Sequence, residues 1–297
     1  MLYHEPVLLK ECIDGLNVQS DGIYVDVTFG GGGHTKSVLN RLDNGKVFAF
    51  DQDEDAIKNT INDNRLILIH QNFRYLKNML RVNNVQSIDG LIADLGVSSF
   101  QIDTSARGFS HRFGGPLDMR MDKRNKISAA AIINSYDENQ LQKIFSEYGE
   151  LRNAKTLAQI IVSARNQREI NTIEDLMESI QSGIRGNSHR YLSQLFQALR
   201  IAVNGELEAL KAMLMGSKNV LKSGGRLAVI SYHSLEDRIV KNFIRTGNTE
   251  GELEKDDFGT IKKYFEPLNK KPITPGKEEL IRNPRSRSAR LRIAEKI

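Results

Sequence analysis

The sequence predicts an α/β fold, a mostly parallel sheet carrying an inserted helical domain, and three observations predict it. Short apolar runs recur through the first hundred residues, at 23–27, 46–50, 66–70 and 88–93, separated by stretches with helical spacing. Four consecutive glycines, Gly30, Gly31, Gly32 and Gly33, follow directly on the first run. From about residue 127 to 190 the strand signal disappears, and apolar residues recur only at helical intervals.

Taken in order, residues 1–20 are a lead-in whose apolar positions predict a short helix ending near Leu16. The run at 23–27 then enters the glycines, as a buried strand enters a tight turn, and residues 35–42 follow as a helix with Val38, Leu39 and Leu42 on one face. Strand, glycine turn and helix N-terminus together make a nucleotide-type cradle, in which bare backbone N–H groups approach a ligand closely. A dinucleotide fingerprint requires a third glycine where this chain has Thr35 or Lys36, so that template fails. The template D-x-G-x-G-x-G, which opens S-adenosylmethionine (SAM) sites, fits from Asp26 to Gly32, except that Thr28 replaces its first glycine.

The second strand ends in Asp51, roughly twenty residues past the glycines, where nucleotide folds place a carboxylate that accepts ribose hydroxyls. Asp53 and Asp55 read as caps of a helix over residues 54–62. The third strand is followed by Phe73, which suits stacking on an adenine ring as well as it suits an ordinary core position. The fourth ends in Asp94. Three strands thus carry an acid or an aromatic just past their carboxyl ends, where open parallel sheets bind ligands.

Residues 104–120 lack any period and interleave Phe109 and Phe113 with Arg107, His111, Arg112 and Arg120. That mixture suits single-stranded nucleic acid, and it equally suits a loop docked on the protein itself. Helical stripes follow, with cap signals at Asp137 and Thr172, and are read as core. A helical stretch over 193–214 returns the chain to the first domain, giving boundaries of 1–104 and 201–297 for the sheet domain and 105–200 for the insertion. A strand over Leu221–Ser231 precedes Y-H-S-L-E-D-R, where Ser234 reads as a helix cap. No G-x-S-x-G elbow surrounds it, so a hydrolase is disfavoured. Arg285, Arg287, Arg290 and Arg292 close the chain as a basic cluster able to meet phosphates, or as a solvated tail.

Composition narrows the class. The net charge of +5 and pI of about 9.1 lean toward a polyanionic partner. The single cysteine, Cys12, excludes an internal disulfide, and six histidines without a Cys/His pattern argue against structural zinc. No apolar run approaches the ~18 residues of a membrane span, and the N-terminus lacks signal-peptide order. A cytoplasmic protein without membrane partners is expected.

Several blocks now resemble one family: H-E-P-V-L-L, D-V-T-F-G-G-G-G-H, F-D-Q-D, D-L-G-V-S-S-x-Q, A-R-G-F-S, G-P-L-D-M-R-M, F-Q-A-L-R-I-A-V-N-G-E-L, S-Y-H-S-L-E-D-R-I-V-K and N-P-R-S-R-S-A-x-L-R. They run nearly end to end and are similar to the MraW/RsmH family. The resemblance implies a Rossmann-like SAM-methyltransferase sheet with an inserted helical domain. It implies SAM-dependent methylation of a cytidine N4 amine in the decoding region of small-subunit rRNA, with naked rRNA or the assembled subunit as partner. It also implies a SAM site at Gly32, Gly33, His34, Asp51, Phe73, Asp94 and Gln101, with Asp94 either orienting the substrate or only holding SAM, and no metal. Two positions depart from the pattern: Gly31 stands where Arg is common, and Phe100 where Pro is common. The competing classes are a non-catalytic SAM-binding assembly factor and a nicotinamide-dependent oxidoreductase, the latter disfavoured by the missing third glycine.

Overall fold

A computed structural model describes residues 6–255 and 257–297; His4 and Glu5 of the first motif block lie outside the described residues. In chain order the elements are α1 (Leu9–Leu16), β1 (Ile23–Asp26), α2 (Gly33–Leu39), β2 (Lys46–Asp51), α3 (Glu54–Ile57), β3 (Leu66–His70), α4 (Leu76–Val82) and β4 (Ile88–Asp94). The helical stretch comprises α5 (Ser99–Asp103), α6 (Ala129–Ser135), α7 (Glu138–Glu147), α8 (Ala154–Arg165), α9 (Ile173–Ile180) and α10 (Ser188–Asn204). The chain closes with α11 (Glu206–Val220), β5 (Leu221–Ser231), α12 (Ser234–Thr246), β6 (Phe265–Pro267), α13 (Lys277–Arg282) and β7 (Arg290–Lys296).

The chain divides into two units. One runs to Gly96 and resumes from Leu207 to Ile297; the other is Val97–Glu206. The first holds a seven-stranded sheet of order β3-β2-β1-β4-β5-β7-β6, parallel from β3 to β5, with β7 antiparallel to both β5 and β6. The strand order reverses between β1 and β4, which makes their carboxyl ends the expected ligand crevice.

Strand alternation builds two apolar layers on this sheet. Val25, Phe48, Phe50, Leu91 and Val229 point to one face, where Leu76 and Leu80 of α4, Met213 of α11 and Phe243 of α12 cover them. Tyr24, Val47, Ile92, Ala228 and Ile230 point to the other, covered by Cys12 and Ile13 of α1 and by Val38 and Leu39 of α2. Each fully buried side chain of this size contributes about 1.5–3 kcal/mol. The second unit buries its own cluster, including Leu141, Phe145, Leu157, Leu176 and Leu199. Its helices begin where the cap signals stand: Asp137 and Thr172 each close a capping box, with Gln140 and Asp175 respectively. No helix of the described residues is long and apolar enough to cross a membrane.

Two local expectations are corrected, and the basic loop, open between RNA contact and docking on the protein, takes the second reading over most of its length. The helix after β2 stops at Ile57 rather than running to 62, and just beyond it the Asn59 side chain donates to the Gly30 carbonyl at 3.0 Å. Ser234 does not cap α12; His233 is the cap residue, and a capping box with Glu236 closes the turn. The basic loop is largely internal. Arg107 is buried and donates to the carbonyls of Arg120 (3.0 Å) and Met121 (3.2 Å), Phe109 lies in the apolar cluster, and Arg120 is held by Asp118 at 2.7 Å. Only Arg112 and Phe113 of the residues singled out there keep exposed side chains on the loop's outer surface.

Candidate active site

β1, β2 and β4 end on the same side of the sheet: Asp26 pairs with Ala49 and Ile92, and β2 and β4 each run two residues further, to Asp51 and Asp94. Their terminal carboxylates therefore converge around the glycine turn. Asp26 is buried and organises that turn: its Oδ1 accepts from the Thr28 N–H (3.1 Å), and its Oδ2 accepts from the Thr35 hydroxyl (2.7 Å). Thr35 occupies the position where a dinucleotide fold wants its third glycine, and here it is a buried anchor for the turn. Thr28, the departure from the SAM template, is a tether. Its hydroxyl oxygen accepts the Asp94 N–H at 2.7 Å, tying the turn to the end of β4.

The four glycines are not equivalent. Gly30 and Gly32 have φ of 51° and 75°, a left-handed conformation that disfavours a Cβ. Gly33 has no such strain, but an added Cβ would lie 2.1 Å from Cγ of Pro6. The lead-in segment therefore packs directly on the first residue of α2. A Cβ on Gly31 would meet nothing within 4 Å, so this position has room for a side chain. The His34 ring is buried and pairs through Nε2 with the Val7 carbonyl (3.1 Å), so its side chain braces the lead-in. What His34 and Gly33 offer a ligand is backbone: the first-turn N–H groups of a helix lack intrahelical acceptors.

Asp51 sits across this turn. Its Oδ2 accepts the Gly30 N–H (2.8 Å) and its Oδ1 the Asp53 N–H (2.9 Å), so the carboxylate is oriented before any ligand arrives. Burial pushes its pKa up to about 6, against the opposing effect of those two backbone donors. Asp53 caps α3 by accepting the Asp55 N–H at 3.0 Å. At the end of β3, Asn72 links to Gln52 (2.6 Å) and caps the short turn that begins at Phe73, a partly buried ring at the rim of the same sheet end.

Beside β4 stands a residue that local sequence patterns do not single out. Tyr232, just past the end of β5, donates its hydroxyl to Asp94 Oδ1 at 2.7 Å. Burial, and then the charge of Asp94, raise the Tyr232 pKa far above the phenol range, so it is a fixed neutral donor. The backbone N–H of Tyr232 is held in turn by Glu236 (2.9 Å). Gln101 belongs to the second unit, where it closes the capping box of α5 with Ser98. The structure thus brings Gly32, Gly33, His34, Asp51, Phe73 and Asp94 to one sheet end, and adds Asp26, Thr28 and Tyr232.

The C-terminal arginines divide. Arg292 makes a two-point pair with Asp237 (2.7 and 3.1 Å), with both side chains largely buried, and Arg290 approaches the same carboxylate at 3.4 Å. Burial would raise the Asp237 pKa, but the bonds from Arg292 and the charges of Arg292 and Arg290 hold it below the usual range. Arg292 is thereby a structural partner, while Arg285, Arg287 and Arg290 keep exposed side chains.

The chemistry of the donor set suits SAM. A preoriented carboxylate at the end of β2 accepts two vicinal hydroxyls, and first-turn N–H groups with positive-φ glycines admit close backbone contact. SAM affinity is expected to fall by up to about tenfold per unit as the pH drops below 6, because the raised pKa makes Asp51 protonate there and lose acceptor strength. The linkage runs the other way too: hydroxyl donors favour the ionised form, so binding near pH 6 releases a proton. Asp51→Asn should bind SAM weakly with no such slope. Calorimetry at several pH values checks both, and a flat profile for the unmodified protein would remove Asp51 from the ribose site.

A family model described as the MraW methylase family matches residues 1–297. The protein named Ribosomal RNA small subunit methyltransferase H from Phocaeicola vulgatus is 55% identical over 297 residues, covering 99% of this chain and 98% of its own length. The protein of the same name from Cytophaga hutchinsonii is 55% identical over 299 residues, covering 99% and 100%. That from Bacteroides fragilis is 54% identical over 296 residues, covering 99% and 97%.

Proposed function

This chain belongs to the MraW methylase family and is a SAM-dependent methyltransferase, and we propose that its acceptor is the N4 amine of a cytidine in the decoding region of small-subunit rRNA. The observation that carries the reading is the convergence of the glycine turn, Asp51 and the Asp94–Tyr232 pair at one sheet end, in a chain matched over its full length by rRNA methyltransferases. We further propose that the sheet unit holds SAM and that the helical unit, with exposed Arg112 and Phe113, takes part in recognising the RNA.

SAM, when bound, supplies a methyl group on a positively charged sulfur. The work left to the protein is alignment of an amine with that methyl in an in-line displacement. A cytosine N4 amine is a weak nucleophile because its lone pair is delocalised into the ring. A carboxylate accepting one N4–H localises that pair and fixes the direction of attack. Asp94 is suited to this role: the Thr28 hydroxyl holds its backbone, and Tyr232 engages one carboxylate oxygen. The cytidine must leave any base pair to reach it. Asp94 then also accepts the proton that the amine loses after transfer.

Tyr232→Phe removes a hydrogen bond to a charged group, a loss of about 1.5–3 kcal/mol when fully expressed. It is expected to lower kcat by roughly tenfold or more while SAM affinity and KM for RNA stay close to normal. An unchanged kcat would reduce the phenol to packing. The function itself is tested by incubating the purified protein with SAM and small subunits from cells lacking the methylation, then digesting the rRNA for mass spectrometry. N4-methylcytidine at one site is the expected product. SAM binding without any methyl incorporation, on subunits or naked rRNA, would make the protein an assembly factor instead.

A further inference from the structure

On the far edge of the same unit, α12 and the β6–β7 pair enclose a cleft of about 360 Å³ that the proposed reaction does not use. Five cations line it: Lys241 and Arg245 from α12, Lys263 and Lys270 flanking β6, and Arg292 from β7. Glu266 is the one carboxylate among the lining residues. The floor is apolar, made by Ile244, Phe265 and Pro267.

The cations are not alike. Arg292 is committed to Asp237 in a largely buried pair, Arg245 donates to the Gly251 carbonyl at 3.2 Å, and Lys263 stands 3.8 Å from Glu266. Lys241 and Lys270 are exposed and have no hydrogen-bond or ion-pair partner among the described residues. Lys241 lies one turn beyond Asp237 on α12, with Arg245 a further turn along, so the helix presents its positive charge to the cleft in a row. Lys270 is set in place from the other side. Its neighbour Asn269 accepts the Ile293 N–H (2.7 Å) and donates to the Leu291 carbonyl (3.1 Å), which fixes the turn leaving β6.

The register places the Arg292 and Lys270 side of the cleft level with the catalytic end of the sheet, while its floor at Phe265–Pro267 lies opposite Lys296–Ala294, nearer the other end. Asp94 pairs with Ile230, Ile230 pairs with Leu291, and the Leu291 carbonyl is the one that Asn269 holds. Between β4 and β6 lie three strand spacings, on the order of 14 Å. A single strand presenting a nucleotide at Asp94 therefore has its neighbouring phosphates within reach of the Lys270 side of the cleft, from which Lys241 continues along α12. Lysine suits such contacts as a strongly hydrated point charge that meets phosphate without demanding a fixed geometry.

Building on the rRNA methyltransferase reading above, we propose that the α12/β6–β7 cleft binds the sugar–phosphate backbone of the rRNA beside the target cytidine, with Lys241 and Lys270 as its phosphate contacts. The cleft positions the RNA and takes no part in holding SAM.

The test is the double variant Lys241→Ala/Lys270→Ala, compared with the unmodified protein in three measurements. Binding to an rRNA fragment spanning the target is followed across a salt series, SAM affinity is titrated on the same preparations, and methyl transfer is measured at varied RNA concentration. Two lost phosphate contacts should flatten the slope of log affinity against log salt by about 1.4. KM for RNA should rise several-fold, with kcat at saturating RNA and SAM affinity unchanged. RNA affinity and salt slope equal to those of the unmodified protein would overturn the proposal. So would a defect seen with intact subunits and absent with the naked fragment, which would place the cleft against a ribosomal protein. Because RNA binding is read directly, a failure of the unmodified protein to make N4-methylcytidine would overturn the reading of the reaction and leave the cleft to stand or fall on its own slope.

Discussion

Replacing Asp94 with alanine is expected to slow methyl transfer by about 10²–10⁴-fold, the range typical of a positioned acid–base group. The side chain sits at the end of β4 with its backbone N–H on Thr28 and its Oδ1 under the Tyr232 hydroxyl. Truncation removes the acceptor for the amine and also leaves the largely buried Tyr232 hydroxyl without its partner, which costs about 1–3 kcal/mol of stability. Asp94→Asn separates the two effects. Its amide oxygen still accepts from Tyr232, so the fold is expected to keep its melting temperature, while the neutral group takes no proton and the rate stays low. The decisive measurement is single-turnover transfer at saturating SAM, beside SAM affinity. A loss confined to SAM affinity, with a normal rate at saturation, would make Asp94 a cofactor ligand rather than the group that orients the amine.

The second large effect is expected at Gly33. Valine there should abolish measurable SAM binding, because its Cβ would stand 2.1 Å from Cγ of Pro6 and neither atom belongs to a flexible tip. The lead-in must move off α2, and with it goes the bond between the His34 ring and the Val7 carbonyl. Overpacking of this kind typically costs 1–3 kcal/mol, or on the order of 2–4 °C per kcal/mol in a chain of this size. Gly31→Ala is the matched control. Its Cβ enters open space and its backbone is not left-handed, so SAM binding and melting temperature should both be normal. Thermal shift with and without SAM reads both variants. Normal SAM binding by Gly33→Val would show that the turn is not the cradle.

These variants also show which parts of the site a sequence reveals. The four parallel strands, the glycine turn, Asp51 and Asp94 are legible because their signals are local: an apolar run, a turn residue, and an acid just past the end. The reason for Gly33 is not. Its bareness reads as room for a ligand, whereas in the fold it makes room for Pro6. Tyr232 and Thr28 escape for a related reason. Their partner is Asp94, 138 and 66 residues away, and no spacing rule links them. The basic loop misleads in the opposite direction. Arg107 and Arg120 look like free cations in a string of letters, but carbonyls and Asp118 a short way along the chain absorb them. Arg292 is absorbed by Asp237 across 55 residues. Of the two lysines that stay open in the cleft, Lys241 only closes the S-Y-H-S-L-E-D-R-I-V-K block and Lys270 lies in no block, so nothing in the string of letters marks either as a cation for RNA.

The brace behind the glycine turn fixes when during synthesis the turn's support becomes complete. Val7 holds His34, and the next residue, Leu8, gives its N–H to the Glu279 carboxylate at 2.9 Å, 271 positions later in the chain. Likewise the edge of β5 is closed only by β7. A chain emerging N-terminus first from the ribosome makes the glycine turn early, but the contact that seats the turn's support waits for α13. Closing a loop of that length is slow compared with local folding. The support of the glycine turn thus draws on both ends of the chain at once, and it is complete only when the segment at Val7 and Leu8 has met Glu279 of α13.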